Sequence, residues 1–167
     1  EVRRGVLAIA SSAALGDAAN TLNLNVNATS GAGLRATDSF SLGRTIRLSQ
    51  AANPFEVVGG KTLTISSAFE LSAVGNILYK NDNGVLVLTA DNSASGWSKP
   101  SGGVMTTGGV IVNAGVLRLG NSSAAGASTN AIVVSPTSSA VAGSALQLAG
   151  GITVANPLSL QPAANVT

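Results

Sequence analysis

The chain contains neither histidine nor cysteine. That removes Ser-His-Asp and Cys-His nucleophiles, imidazole and thiolate metal sites, and disulfides. Seven carboxylates remain: Glu1, Asp17, Asp38, Glu56, Glu70, Asp82 and Asp91. Polysaccharide cleavage would need such acids clustered, or set beside Lys, Arg or calcium. The closest group along the chain is Lys80, Asp82 and Asp91. Its centre, "NDNG" at 81–84, has the Asn, Asp and Gly of a turn, and a turn is the reading adopted. The Gly-rich "SGGVMTTGG" at 101–109 lacks the Lys-Ser/Thr and the following helix of a phosphate loop. No catalytic residue, metal ligand or cofactor is expected.

The side chains best suited to an interaction are Trp97, the only tryptophan, with Lys99 and Met105 nearby in the same stretch. One reading makes Trp97 an exposed aromatic anchor for a sugar, a neighbouring fibre or a host receptor. The other folds it back over the outer wall of the molecule as a seal. The second is preferred, because an exposed loop needs an anchor of its own, and the loop stands as the candidate interaction site.

Composition bounds the partners. Nine Lys/Arg against seven Asp/Glu give +2, and the basic residues are scattered, with no basic stripe interleaved with aromatics. Nucleic-acid binding is therefore not expected. Charged residues are 10% of the chain and hydrophobic ones 45%, which argues against disorder. No stretch approaches the roughly 18 consecutive apolar residues of a spanning helix, so no membrane insertion by this segment is expected. The opening "EVRRGVLAIA" lacks the ordered n-region, hydrophobic h-region and cleavage site of a signal peptide, so any export signal is expected to have been removed or to lie outside this segment.

These residues must be positioned by a scaffold, and the scaffold is written in repeats. "GVLAIASSAALGDAAN" (5–20) matches "GVLRLGNSSAAGASTN" (115–130) at Gly5, Val6, Leu7, Ser12, Ala14, Gly16 and Asn20, an offset of 110. At offset 112, "FSLGRTIRLSQAAN" (40–53) runs in phase with "ITVANPLSLQPAAN" (152–165). The 167 residues thus read as one domain of about one and a half copies of a ~112-residue unit.

Inside the unit, apolar residues fall on every second position: Leu22, Leu24 and Val26; Phe40 and Leu42; Ile46 and Leu48; Leu63 and Ile65; Leu86 and Leu88. The series continues with Leu117 and Leu119; Ile132 and Val134; Leu146 and Leu148; Ile152 and Val154; Leu158 and Leu160. Period two means a half-buried strand, and the Gly, Asn, Asp, Ser and Pro between bursts mean turns. Asn23, Asn25 and Asn27 alternate with the first burst and are expected on the outer face or in an amide ladder. Self-similarity and an inventory of small aliphatics favour stacked coils over a sandwich. The expectation is an all-β, right-handed parallel β-helix of about seven coils, spaced about 4.8 Å apart, with no helix beyond a capping turn. The pair 152/154 is expected to meet 158/160 as two strands around "ANP", as 40/42 meets 46/48 around "GRT".

Residues 75–126 are more specific. Gly75, Leu78, Lys80, Gly84, Leu86, Leu88, Asn92, Gly96, Gly109, Val112, Asn113, Gly115, Leu117, Leu119 and Gly120 follow an order that resembles the autotransporter-associated β-strand repeat. Residues 5–16 resemble its closing portion. The chain departs from the pattern in carrying Ala94 where the family has Tyr, and in the insertion "WSKPSGGVMTT" (97–107). The resemblance implies a segment of a secreted or surface-displayed bacterial protein, part of a longer β-helix passenger. The expected role is a non-enzymatic scaffold in adhesion, or a fibre subunit associating through coil ends or neighbouring repeats, with a surface glycan or host molecule as ligand. A carbohydrate-active β-helix enzyme and a phage-fibre-like stalk are the alternatives. The N-x-S/T triplets at Asn27, Asn121 and Asn165 are read as products of an Asn- and Ser-rich composition.

Overall fold

All but one of the alternating bursts form strands, and every strand pair among the described residues is parallel. A computed structural model describes residues 1–24, 32–49, 52–71, 76–94, 109–136 and 143–162. In chain order the strands are β1 (Gly5–Ile9), β2 (Leu22–Leu24), β3 (Ala32–Ala36), β4 (Phe40–Leu42), β5 (Ile46–Leu48), β6 (Ala52–Val57), β7 (Thr62–Ile65) and β8 (Phe69–Leu71). There follow β9 (Ile77–Asn81), β10 (Val85–Leu88), β11 (Gly109–Val112), β12 (Val116–Leu119), β13 (Ala131–Val134), β14 (Ala145–Leu148) and β15 (Leu158–Leu160). The only helix among the described residues is a single 3₁₀ turn, Ser12–Leu15.

The strands stack into three sheets: seven strands in the order β1-β3-β6-β9-β11-β13-β15, five in the order β4-β7-β10-β12-β14, and three in the order β2-β5-β8. Each strand pairs with its counterpart one coil on, as a β-solenoid requires. Five turns carry strands of both larger sheets, with partial turns at either end, against the seven or so expected. The difference lies in coil length. The step from Leu34 to Phe55 spans fewer residues than the step from Ile77 to Gly109.

The interior is a set of in-register columns. One runs Phe40, Leu63, Leu86, Leu117, Leu146; its neighbour runs Leu42, Ile65, Leu88, Leu119, Leu148. Leu86, Leu88, Leu117 and Leu119 are at most 1% exposed. Burying each such side chain contributes about 1.5–3 kcal/mol. The columns are not purely aliphatic. Phe55 and Phe69, from different sheets, meet edge to face with ring centroids 5.7 Å apart at 70°. In the first sheet the column Leu7, Leu34, Phe55, Lys80, Val112, Val134, Leu160 places a lysine between an aromatic and a valine.

One expected strand is absent. Ile152 and Val154 pack partly buried against the core, but they lie outside any strand, so only 158–160 of that corner is β. The corners themselves are held by close backbone approach. Gly115 has φ +67°, and a Cβ there would lie 2.5 Å from the Gly84 carbonyl oxygen and 2.6 Å from that of Asp82. Both the conformation and the contact exclude a side chain. Gly115→Ala should lower unfolding free energy by at least about 2 kcal/mol, measured by chemical denaturation.

Candidate functional site

Polar side chains in the interior are costly unless bonded, so their partners reveal what the fold uses them for. Arg44, 4% exposed, follows β4 at a coil corner. Its Nη1 donates to the carbonyl oxygens of Leu15 (3.2 Å), Asp17 (3.0 Å) and Asn20 (3.4 Å). Its Nη2 donates to those of Ser12 and Gly16, both at 3.1 Å. A planar fork of donors is suited to such a ring of acceptors. The loop 12–20 is thus an arch in the first coil, filled by a guanidinium from the next.

The second cation is Lys80, fully buried in β9. Its Nζ donates to the carbonyl oxygens of Asn81 (2.8 Å), Asp82 (2.5 Å) and Ala114 (3.0 Å), the last from the following coil. Burial pulls its ammonium down from the usual 10.5 to about 8, against the opposing pull of Asp82 and Glu56. The turn expected at 81–84 is present: Asp82 is left-handed at φ 64°, and its Oδ1 accepts from the Asn83 N–H. Asp91 belongs to a different turn. Its Oδ1 accepts from the Ser93 N–H at 2.8 Å, and bonding to Ser93 holds its carboxyl below the usual carboxylate range. The chemistry-bearing group read along the chain is therefore two separate turns, one of them plugged by a lysine.

A polar thread continues between coils. Ser67 Oγ donates to the Arg44 carbonyl, and Asn92 Oδ1 accepts from the Phe69 N–H. The Asn92 N–H and Nδ2 reach forward to the carbonyls of Ser123 and Ala124. On the surface, ion pairs also step from coil to coil: Lys61 to Asp38 at 2.8 Å, Arg47 to Glu70 at 2.6 Å, and Arg35 to both Asp82 (3.2 Å) and Glu56 (3.7 Å). Exposed pairs of this kind contribute at most about 1 kcal/mol each but penalise a slipped register.

The sequence echo acquires a structural meaning here. Ala14, Gly16 and Asn20 donate their N–H groups to the carbonyls of Ser11, Ala13 and Asp17. Ala124, Gly126 and Asn130 donate theirs to Asn121, Ser123 and Ala127. Gly16 and Gly126 both have positive φ, 72° and 89°. The arch at 121–130 is therefore built much as the arch at 12–20 is. Yet the flanking strands sit on different faces: β1 belongs to the seven-stranded sheet, whereas β12 belongs to the five-stranded one. The module is displaced by one face of the coil, which period-two strands tolerate because any face buries alternate residues. The partner moves with it. Asn156, 112 residues after Arg44, donates Nδ2 to the carbonyls of Ala127 (2.8 Å) and Asn130 (3.1 Å), the echoes of Asp17 and Asn20.

Sequence reasoning did not single out Arg44, Asn130 or Asn156. The signal was present in the second half of the echo, which lays "GRT" on "ANP". Trp97, Lys99 and Met105 lie outside the described residues, as do Asn25, Asn27 and Asn165. Asn23 is half-buried and pairs in register with Arg47. Among the described residues no group of three or more acids could hold a metal ion. Comparison of the chain with protein-family models, with curated proteins and with solved structures finds no match in any of the three.

Proposed function

We propose that this β-solenoid is a structural and adhesive scaffold of a bacterial surface or extracellular protein, one that extends by adding coils to its open rim. The observation that carries the reading is that rim. Leu148, Leu158 and Leu160 are 49%, 54% and 72% exposed, although they continue the columns in which Leu119, Ile132 and Val134 are buried. On this reading a coil of a second copy packs over them, and such head-to-tail contacts need not close. Polar investment runs the same way, since the two buried cations bond to backbone carbonyls of neighbouring coils. Export suits a chain whose coils pair one after another.

Electron microscopy and sedimentation of the purified chain test the reading. Stacks or fibres are expected, dispersed to single rods by Leu158→Lys with Leu160→Lys. Monomers at high concentration without fibres would remove self-stacking, and threefold stalks would favour the phage-fibre alternative.

One arrangement favours the enzyme alternative: Arg35 brings the carboxylates of Glu56 and Asp82 to one outer face. Cleavage of any member of a polysaccharide panel, lost in both Glu56→Gln and Asp82→Asn, would establish it.

A further inference from the structure

The two arches share a backbone but not a plug. In the arch at 12–20, five carbonyl oxygens surround the Arg44 guanidinium. Converging carbonyl dipoles make a focus of negative potential, and in this arch a cation occupies it. In the arch at 121–130, among the described residues, two of the five equivalent carbonyls, those of Ala127 and Asn130, have a side-chain donor, the neutral amide of Asn156. No donor among the described residues reaches the carbonyls of Ser122, Ala125 or Gly126, the echoes of Ser12, Leu15 and Gly16. Ala125 is fully buried, and Gly126 is buried with it.

A second observation points the same way. Asn130 is 1% exposed, and among the described residues neither its Oδ1 nor its Nδ2 has a hydrogen-bond partner. A buried carboxamide with both ends unpaired is rare in folded proteins and calls for a bound water or ion. Its counterpart Asn20 is exposed to solvent and has no such need.

We propose that the arch at 121–130 is a binding site for a monovalent cation of the alkali-metal class, held by the carbonyls of Ser122, Ala125 and Gly126 with the Asn130 Oδ1. The choice of class follows from the donors. They are neutral oxygens only, because Ala127 replaces Asp17 and the arch itself carries no carboxylate. Calcium sites draw their affinity from charged ligands, whereas rings of neutral carbonyls replace the shell of an alkali ion. The guanidinium that fills the first arch is itself a monovalent cation. The ion stabilises the fold by mass action, since the unfolded chain has no arch to offer.

Thermal unfolding at fixed ionic strength in choline, sodium and potassium chloride tests the site. Sodium or potassium is expected to raise the midpoint, saturably, by about 3 °C over choline. Asn156→Arg should place a guanidinium on the second arch, raise the midpoint in choline and abolish the dependence on the ion. Equal midpoints in the three salts would overturn the proposal, as would an ion-dependent rise of unchanged size in Asn156→Arg. Should that variant fail to fold, wild-type crystals grown in rubidium chloride decide: an anomalous peak within the arch supports the site, and its absence overturns it.

Discussion

Arg44→Leu is expected to lower unfolding free energy by about 3–5 kcal/mol, the range found when one partner of a buried charged contact is removed. Five carbonyl oxygens lose their donor at once. A hydrogen bond to a charged group contributes about 1.5–3 kcal/mol, so simple addition would give far more. Addition fails because the arch lies near the surface. Gly16, Asp17 and Asn20 are exposed, and water can reach their carbonyls once the guanidinium is gone. Arg44→Lys should recover less than half of the loss, since one ammonium cannot span a ring that two Nη groups fill. Denaturant titration measures both variants. The arch should also become the first site of proteolysis in Arg44→Leu, with cleavage near Leu15.

The second large effect is a dependence on pH set by Lys80. Its folded pKa of about 8 lies below the unfolded value of 10.5. Below pH 8 both states hold the proton, and the full cost of burying the charge is present. Between pH 8 and 10.5 the folded state sheds the proton while the unfolded state keeps it. The unfolded chain then binds more protons, so stability rises with pH, by up to about 1.4 kcal/mol per unit. The interval amounts to about 3 kcal/mol. The measurement is unfolding free energy of wild type minus that of Lys80→Met, followed from pH 7.5 to 10.5. The difference should move by that amount in favour of the wild type, because other titrating groups are common to both chains. A flat difference would mean that Lys80 reaches water.

Both effects concern side chains that the sequence did not mark as buried, and the reason is physical. Alternation reveals a strand only where inward positions are apolar. Strands β7, β10, β12 and β13 were legible because each presents two aliphatics two residues apart. Strand β6, "ANPFEV", was not: it carries Asn53 and Phe55 inward and Pro54 outward, and that mixture has no clear period. Strand β9 hid Lys80 in an interior column, where a charge reads as solvent-facing until its carbonyl partners are known. The Ala114 carbonyl that completes its shell is a coil away in the fold and 34 residues away in sequence. Conversely, Ile152 and Val154 alternate correctly yet form no strand, since an apolar pair specifies which side is inward but not that a neighbour pairs with it. The echo at offset 110 was visible; its displacement by one face was not, because the face depends on how many residues the intervening coils consume.

The fold rests on parallel, in-register stacking of successive coils, and a chain without cysteine allows a direct test. Thr64 of β7 and Val87 of β10 are register partners whose side chains point outward. Stacked strands lie about 4.8 Å apart, within the Cα range that a disulfide spans, whereas a pair displaced by two residues exceeds it. In-register stacking predicts that Thr64→Cys with Val87→Cys oxidises readily under mild conditions, and that Thr64→Cys with Val85→Cys stays reduced. Cross-linking of the second pair in place of the first would contradict it.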